Sequence, residues 1–487
     1  MSDLALKHPR LQKTIGASQF FTLSFASIVG VGWIVVLGDW LRQAGPLGAV
    51  IVFVLAGMMM MMVGLCYAEL GTMIPVSGGE IAYMYEIFGL KTSFAAGWFL
   101  SLIYVSATSF QAISAGWIAG VIFPGLRGVP LYTVRGEAVM SGALVLGLVG
   151  TLLLTLLNYL GAKSSTTFQD ILTYAKVGMS ALFIAAGIFW GKADNLKPLF
   201  VNGDLRSSWR GMLSVLITAP FWLAGFNVIA QVIEEKKPET SYRRIAGMLA
   251  LSIGVASLFY CLVILSCSMA SPWTNPLTAE LPVVSAFRAA FRSDGWAKIV
   301  LLSCLLGLLA TWNSIFFGAS RTVFALGRAR IIHPTFANIH PRLGSPSASV
   351  LFVGVVSAVG VVLGRGAIMP IVNMVSGSFV LIYLFVALGV IRMRFRQPDR
   401  PRPYRIPGGL TIPVLAALSS VFMVFESFYM PFTHSRGQLP LEWVFFVIWG
   451  LIGGTFWGLA SPLRAQVTEF ERRKLILGNN IRSASDP

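Results

Sequence analysis

Twelve apolar runs follow one another along this chain, each about the ~20 residues that a helix needs to cross the hydrocarbon core of a bilayer. They lie at roughly 17–38, 47–70, 92–120, 138–162, 168–190, 211–233, 245–270, 297–321, 347–364, 367–391, 409–430 and 442–463. No long polar stretch separates them, and 12% of the residues are charged, against ~25% in an average soluble domain. Inside a bilayer every backbone polar group must find a partner within the protein, which restricts such runs to a helical bundle. The expected fold is an all-α integral membrane protein of about 12 transmembrane helices.

A formal net charge of +17 invites a nucleic-acid reading, which the positions of the charges remove. With the N-terminus in the cytoplasm, 24 Lys and Arg fall on the inner side and 12 on the outer, Lys176 being the last of the 37. Such an excess orients a membrane protein with its basic side inward. The expected location is the cell membrane, multi-pass, with both termini cytoplasmic, basic side chains meeting anionic headgroups of the lipid bilayer, and no nucleic-acid partner. Cys66, Cys261, Cys267 and Cys304 all fall in apolar runs, where neither a disulfide nor a metal site is expected. The first run lacks a cleavage site and reads as a retained span.

Two runs are interrupted near their middles. The first carries Ser27-Ile28-Val29-Gly30-Val31-Gly32, where each glycine weakens a helix by about 1 kcal/mol relative to alanine. The sixth carries Pro220-Phe221-Trp222-Leu223-Ala224-Gly225-Phe226-Asn227, and proline costs ~3 kcal/mol inside a helix. Broken helices at matching places in two halves point to a transporter built on inverted repeats, with its binding site at the breaks. The expected units are a tail (1–16), two five-helix repeats of opposite orientation (17–190 and 211–394), helices 11–12 (409–463) and a second tail (464–487).

Four stretches stand out: Val29–Ile34; Tyr67-Ala68-Glu69-Leu70-Gly71-Thr72-Met73-Ile74-Pro75-Val76-Ser77-Gly78-Gly79-Glu80; Gly225-Phe226-Asn227 with Glu234-Glu235-Lys236-Lys237-Pro238; and Ser320-Arg321 with Ala325-Leu326 and His333-Pro334. Together they make the chain similar to the amino acid, polyamine and organocation superfamily, whose members resemble the leucine-transporter fold. The resemblance implies a substrate site at Ser27, Ile28, Val29, Gly30, Val31, Gly32, Phe221, Trp222, Ala224, Gly225 and Asn227, with Phe221 as an aromatic gate. Asn227 departs from the acid usual in the family. Neither break carries a carboxylate, so a cationic substrate would lack a partner in low dielectric and a neutral one is expected.

Backbone N–H groups freed at the first break would favour a substrate carboxylate, and freed carbonyls an ammonium. Lys176 stands alone among the charges, because a lysine at membrane depth costs about 2.5–3.5 kcal/mol and is a functional candidate by default. In proton-coupled relatives such a lysine takes the place of a sodium ion between the first and eighth helices; snorkelling to the interface is the alternative. An ammonium there could hold the first helix in one state and release it on losing its proton.

Softer candidates for the pathway or gates are Trp312, Asn313, Ser314, Glu69, Glu235 and Arg321, with Glu80 and Glu234 beside them; solvated ion pairs are the plainer reading for the charged ones. Glu426 is given no role. The histidines sit in tails or loops and no span carries paired carboxylates, so no enzyme chemistry, cofactor or metal is expected. The expected function is secondary active transport of a neutral amino acid or related small amine by alternating access, proton-coupled through Lys176. The alternatives are an amino acid or amine exchanger or an ethanolamine- or polyamine-like organocation carrier, and more remotely a transporter-like sensor or a membrane enzyme.

Overall fold

A computed structural model describes residues 11, 13–30, 32–274, 282–292, 294–434 and 439–478. The first interrupted run forms α1 (Ala17–Ile28) and α2 (Gly32–Val35), followed by α3 (Leu37–Met73). α3 bends at Gly45, whose φ is 73°, just before Pro46. A Cβ at Gly45 would approach the Leu199 carbonyl oxygen to 2.8 Å, so the bend and the passing loop both demand glycine. The connecting helix α4 (Glu80–Phe88) leads into α5 (Leu90–Ile122). A hairpin, β1 (Pro130–Val134) and β2 (Glu137–Met140), precedes α6 (Ser141–Tyr159) and α7 (Ala162–Trp190).

The sixth run is split into α8 (Leu205–Leu223) and α9 (Val228–Val232). Then come α10 (Tyr242–Ala270), α11 (Pro282–Phe291), α12 (Asp294–Arg328), α13 (Ser347–Val361) and α14 (Ile368–Arg396). α15 (Thr411–His434), α16 (Leu441–Leu459), α17 (Ser461–Ala465) and α18 (Glu469–Leu477) close the described chain.

Among the described residues, 11 helical segments are long and apolar enough to cross a membrane. The ninth expected run is the exception: α13 has 15 residues, or about 22 Å at 1.5 Å per residue, short of a core ~30 Å thick. The fourth run also starts later than expected, because Ala138, Val139 and Met140 pair antiparallel with β1 instead of opening the helix.

α12 packs against α1, α5 and α7, and α10 against α1 and α3, which places the broken segments inside the bundle. Hydroxyl contacts such as Ser24 with Ser252 at 2.5 Å join these helices where backbones run close. Large apolar side chains cover the outside: Phe189 is 78% exposed and Leu153 60%, the kind of extended apolar surface that marks contact with a membrane. At one end of the bundle, α18 begins with a Thr468–Glu471 capping box and buries Leu475, Ile476 and Leu477. Its Arg473 and the loop residue Arg400 both donate to Glu86 Oε1 of α4, at 2.8 and 3.0 Å.

Candidate functional site

The two breaks face each other. The last helical bond of α1 runs from Val29 N to Phe25 O, and Val29 and Gly30 then leave helical geometry until α2 begins at Gly32. On the other side α8 stops at Leu223, Ala224 is extended, and Gly225 has φ of 110°. A Cβ on Gly225 would sit 2.6 Å from the backbone carbon of Ser27, and one on Gly32 would sit 2.3 Å from the Trp222 ring. Glycine at these two places is therefore what lets the unwound strands touch.

Between them lies a cavity of about 40 Å³. Of the substrate-site residues expected from sequence, Ser27, Ile28, Gly30, Gly32, Phe221, Trp222, Ala224 and Gly225 line it. Val31 lies outside the described residues. Val29 and Asn227 do not line the cavity, and both are turned to partners behind it. The Val29 carbonyl accepts from Lys176 Nζ at 2.6 Å and lies 3.0 Å from Thr311 Oγ1. The Asn227 amide donates to the Tyr104 hydroxyl at 2.8 Å and to Glu80 Oε1 at 3.2 Å.

Among the described residues, no Lys, Arg, Asp or Glu lines the cavity. Its polar groups are neutral: Ser27, Gln111, Thr311, Tyr104 and Tyr260. Gln111 Oε1 is buried with no hydrogen-bond partner among the described residues. Such an orphan at a cavity wall is where a ligand donor would be welcome. Aromatic rings form the remaining wall, with Phe221 set edge-on to Phe110 at 5.4 Å and to Trp222 at 4.7 Å.

Lys176 is 1% exposed, and its ammonium is held inside the bundle by α1, not extended to an interface as snorkelling requires. The Phe25 ring lies 5.2 Å from Nζ. Thr311 fastens the same turn by donating to Ala26 O at 2.6 Å. A single helix end is thus gripped by α7 and α12 together.

The other candidates divide. Ser314 reaches the site, 2.6 Å from Ser27 Oγ. Asn313 instead ties α12 to α6 and α7 through Asn158, Ser165 and Gln169, and the Trp312 ring packs at Gly150. The charged candidates are not solvated. Arg321 and Glu235 pair at 2.8 Å with exposures of 0% and 1%, Arg328 holds Glu234 at 2.8 Å, and Arg394 clamps Glu69 at 2.6 Å. Gln111, Thr311 and Tyr104 were not expected from sequence; a lone glutamine in an apolar run was the one local signal.

A sequence model of the amino acid permease family matches residues 15–452. The branched-chain amino acid permease BcaP of Bacillus subtilis (strain 168) is 27% identical over 94% of this chain and 95% of its own length. The methylthioribose transporter of the same organism is 26% identical over 93% and 95%. The human b(0,+)-type amino acid transporter 1 is 26% identical over 92% and 88%. With a family match across nearly its whole length and a bundle of membrane-spanning helices, the chain is a transporter and no enzyme, and belongs to the amino acid permease family of the amino acid, polyamine and organocation superfamily.

Proposed function

We propose that the protein carries a small neutral amino acid across the cell membrane by alternating access, driven by protons through Lys176. The observation that carries this reading is the uncharged cavity between two broken helices, one of which is held by a buried lysine on a backbone carbonyl. A zwitterion would satisfy N–H and C=O groups released at the breaks without requiring a charged side chain. The small cavity favours small substrates, and the relative named for branched-chain amino acids fits its apolar, aromatic wall. Twelve spans in an inverted five-plus-five arrangement, with α15 and α16 outside it and both termini cytoplasmic, is the topology that goes with this reading.

In the proposed cycle, protonated Lys176 holds the end of α1 through Val29 O. Deprotonation takes the charge from that bond and lets α1 swing with the substrate. A second reading, an uncharged small solute without a carboxylate, is favoured by the similarity to the methylthioribose transporter. A thermal-shift panel separates the two, since a ligand at one hundred times its dissociation constant stabilises by ~2.7 kcal/mol. Stabilisation by small neutral amino acids, lost on amidation of the carboxylate, is the expected result. Stabilisation by uncharged thiosugars alone, or by amines alone, would overturn the amino acid assignment.

A further inference from the structure

Behind the cavity lies a carboxyl group that the proposed cycle does not use. Glu80, the first residue of α4, is 0% exposed. Its Oε1 accepts from the Tyr67 hydroxyl at 2.9 Å and from Asn227 Nδ2 at 3.2 Å, and its Oε2 accepts from Gln231 Nε2. Every one of these partners is neutral. The titratable groups facing it are tyrosines from four elements: Tyr67 of α3, Tyr83 of α4 itself, Tyr104 of α5 and Tyr383 of α14. The charged residues around this end are paired with one another, Arg321 with Glu235, Arg328 with Glu234 and Arg394 with Glu69. A buried carboxylate without a cation is costly. Burial accordingly pushes the Glu80 carboxyl up to about 7, while the bonds from Tyr67, Asn227 and Gln231 pull the other way.

The wiring of Asn227 gives this proton a consequence. Its Nδ2 donates both to Glu80 and to the Tyr104 hydroxyl at 2.8 Å, whereas its Oδ1 is buried without a partner among the described residues. That arrangement suits an ionised Glu80. A protonated Glu80 has a hydrogen to give, and turning the Asn227 amide by half a revolution puts Oδ1 where it accepts from both Glu80 and Tyr104. The orphaned oxygen is then satisfied. Tyr104 lines the cavity. In the first arrangement its hydroxyl accepts from Asn227, leaving its hydrogen for the cavity. In the second that hydrogen points at Asn227, and Tyr104 offers the cavity only lone pairs.

We propose that Glu80 is a second proton-binding site, separate from Lys176, whose occupancy decides through Asn227 whether Tyr104 presents a hydrogen-bond donor or an acceptor to the substrate. The pairing of this switch with an amino acid rests on the transport reading above; the proton site itself does not. A substrate carboxylate needs the donor, so amino acid binding and protonation of Glu80 oppose each other. By linkage, affinity for a carboxylate-bearing substrate rises with pH through the Glu80 titration, by up to about tenfold per pH unit for one coupled proton.

The test uses the purified full-length protein in two arms. In the absence of any ligand, infrared difference spectra across about pH 5 to 9 are expected to contain a protonated-carboxyl C=O band that disappears in Glu80→Gln. Unchanged spectra in that variant would overturn the proton site whatever the substrate proves to be. In the second arm, the dissociation constant of the stabilising amino acid is measured against pH in the Lys176→Met background, so that Lys176 contributes no titration. Glu80→Gln is expected to hold the weak, low-pH affinity at every pH. Asn227→Leu is expected to keep the infrared band while abolishing the pH dependence, which also covers the case in which Glu80→Gln does not fold. Wild-type pH dependence in a folded Glu80→Gln or Asn227→Leu protein, or affinity that falls as pH rises, would refute the switch. If no amino acid binds, the transport reading fails and the first arm still decides whether Glu80 takes up a proton.

Discussion

Lys176→Met keeps most of the length of the side chain and removes its charge. The substitution loses the 2.6 Å bond to Val29 O, a hydrogen bond to a charged group being worth about 1.5–3 kcal/mol. It also loses the contact with the Phe25 ring, a cation–π interaction worth about 0.5–2 kcal/mol. Against this, it relieves the ~2.5–3.5 kcal/mol that a lysine costs at membrane depth. The Val29 carbonyl keeps a donor within reach, because the single Thr311 hydroxyl hydrogen can turn from Ala26 O to Val29 O, 3.0 Å away. These opposing quantities leave a net change between about 1.5 kcal/mol stabilising and about 2.5 kcal/mol destabilising. The variant is expected to purify and melt much as the wild type does. In proteoliposomes it should still exchange substrate across the membrane with no gradient imposed. Uptake driven by an inward proton gradient should fall to the level seen without one. A loss of more than about 4 kcal/mol in stability would make Lys176 a structural clamp. Undiminished gradient-driven uptake would remove it from coupling.

Gly32→Ala drives a methyl into the Trp222 ring and should cost about 1–3 kcal/mol as overpacking, with loss of ligand-induced stabilisation; Trp222→Leu in the same chain should restore much of both, and strict additivity would show that the ring is not the constraint. Arg321→Met leaves Glu235 unpaired at 1% exposure and should destabilise by about 3–5 kcal/mol in denaturant titrations; adding Glu235→Leu should recover most of it, and failure to recover would mean that the pair does more than neutralise itself. Gln111→Leu should weaken the bound substrate by about tenfold, the loss of roughly one hydrogen bond, without lowering stability; an unchanged dissociation constant would take Gln111 out of the site.

The breaks were legible because their causes are local. Gly30, Gly32, Pro220 and Gly225 weaken a helix whatever surrounds them, and Lys176 is conspicuous in any apolar run. Gln111 and Thr311 were not, since their part depends on which face of α5 and α12 turns toward the breaks, and apolar positions fill every face of such helices. Glu80 misled in a different way. It follows Ser77-Gly78-Gly79, which reads as a solvated loop, but Gly79 packs so closely on Ala230 that a Cβ would lie 2.6 Å from its neighbour's side chain. That tight seat draws Glu80 inward. The hairpin has a local signal of its own: Arg135-Gly136, with φ of 51° and 82°, is a two-residue turn with both central residues at positive φ, the geometry that joins antiparallel strands.

Three arginine pairs, Arg321–Glu235, Arg328–Glu234 and Arg394–Glu69, bear on how the end of the bundle that they tie could open. A guanidinium keeps its charge at any physiological pH, so the bonds of Arg321, Arg328 and Arg394 cannot be released by taking a proton from the base. Parting them requires water to enter and solvate both ions, an exchange of direct contacts for hydration. Opening at this end would therefore be timed by wetting and temperature, with a steep activation enthalpy. In the proposed cycle the coupling proton acts deeper, at Lys176, so that the event which authorises the motion and the event which limits its speed would occur in different places.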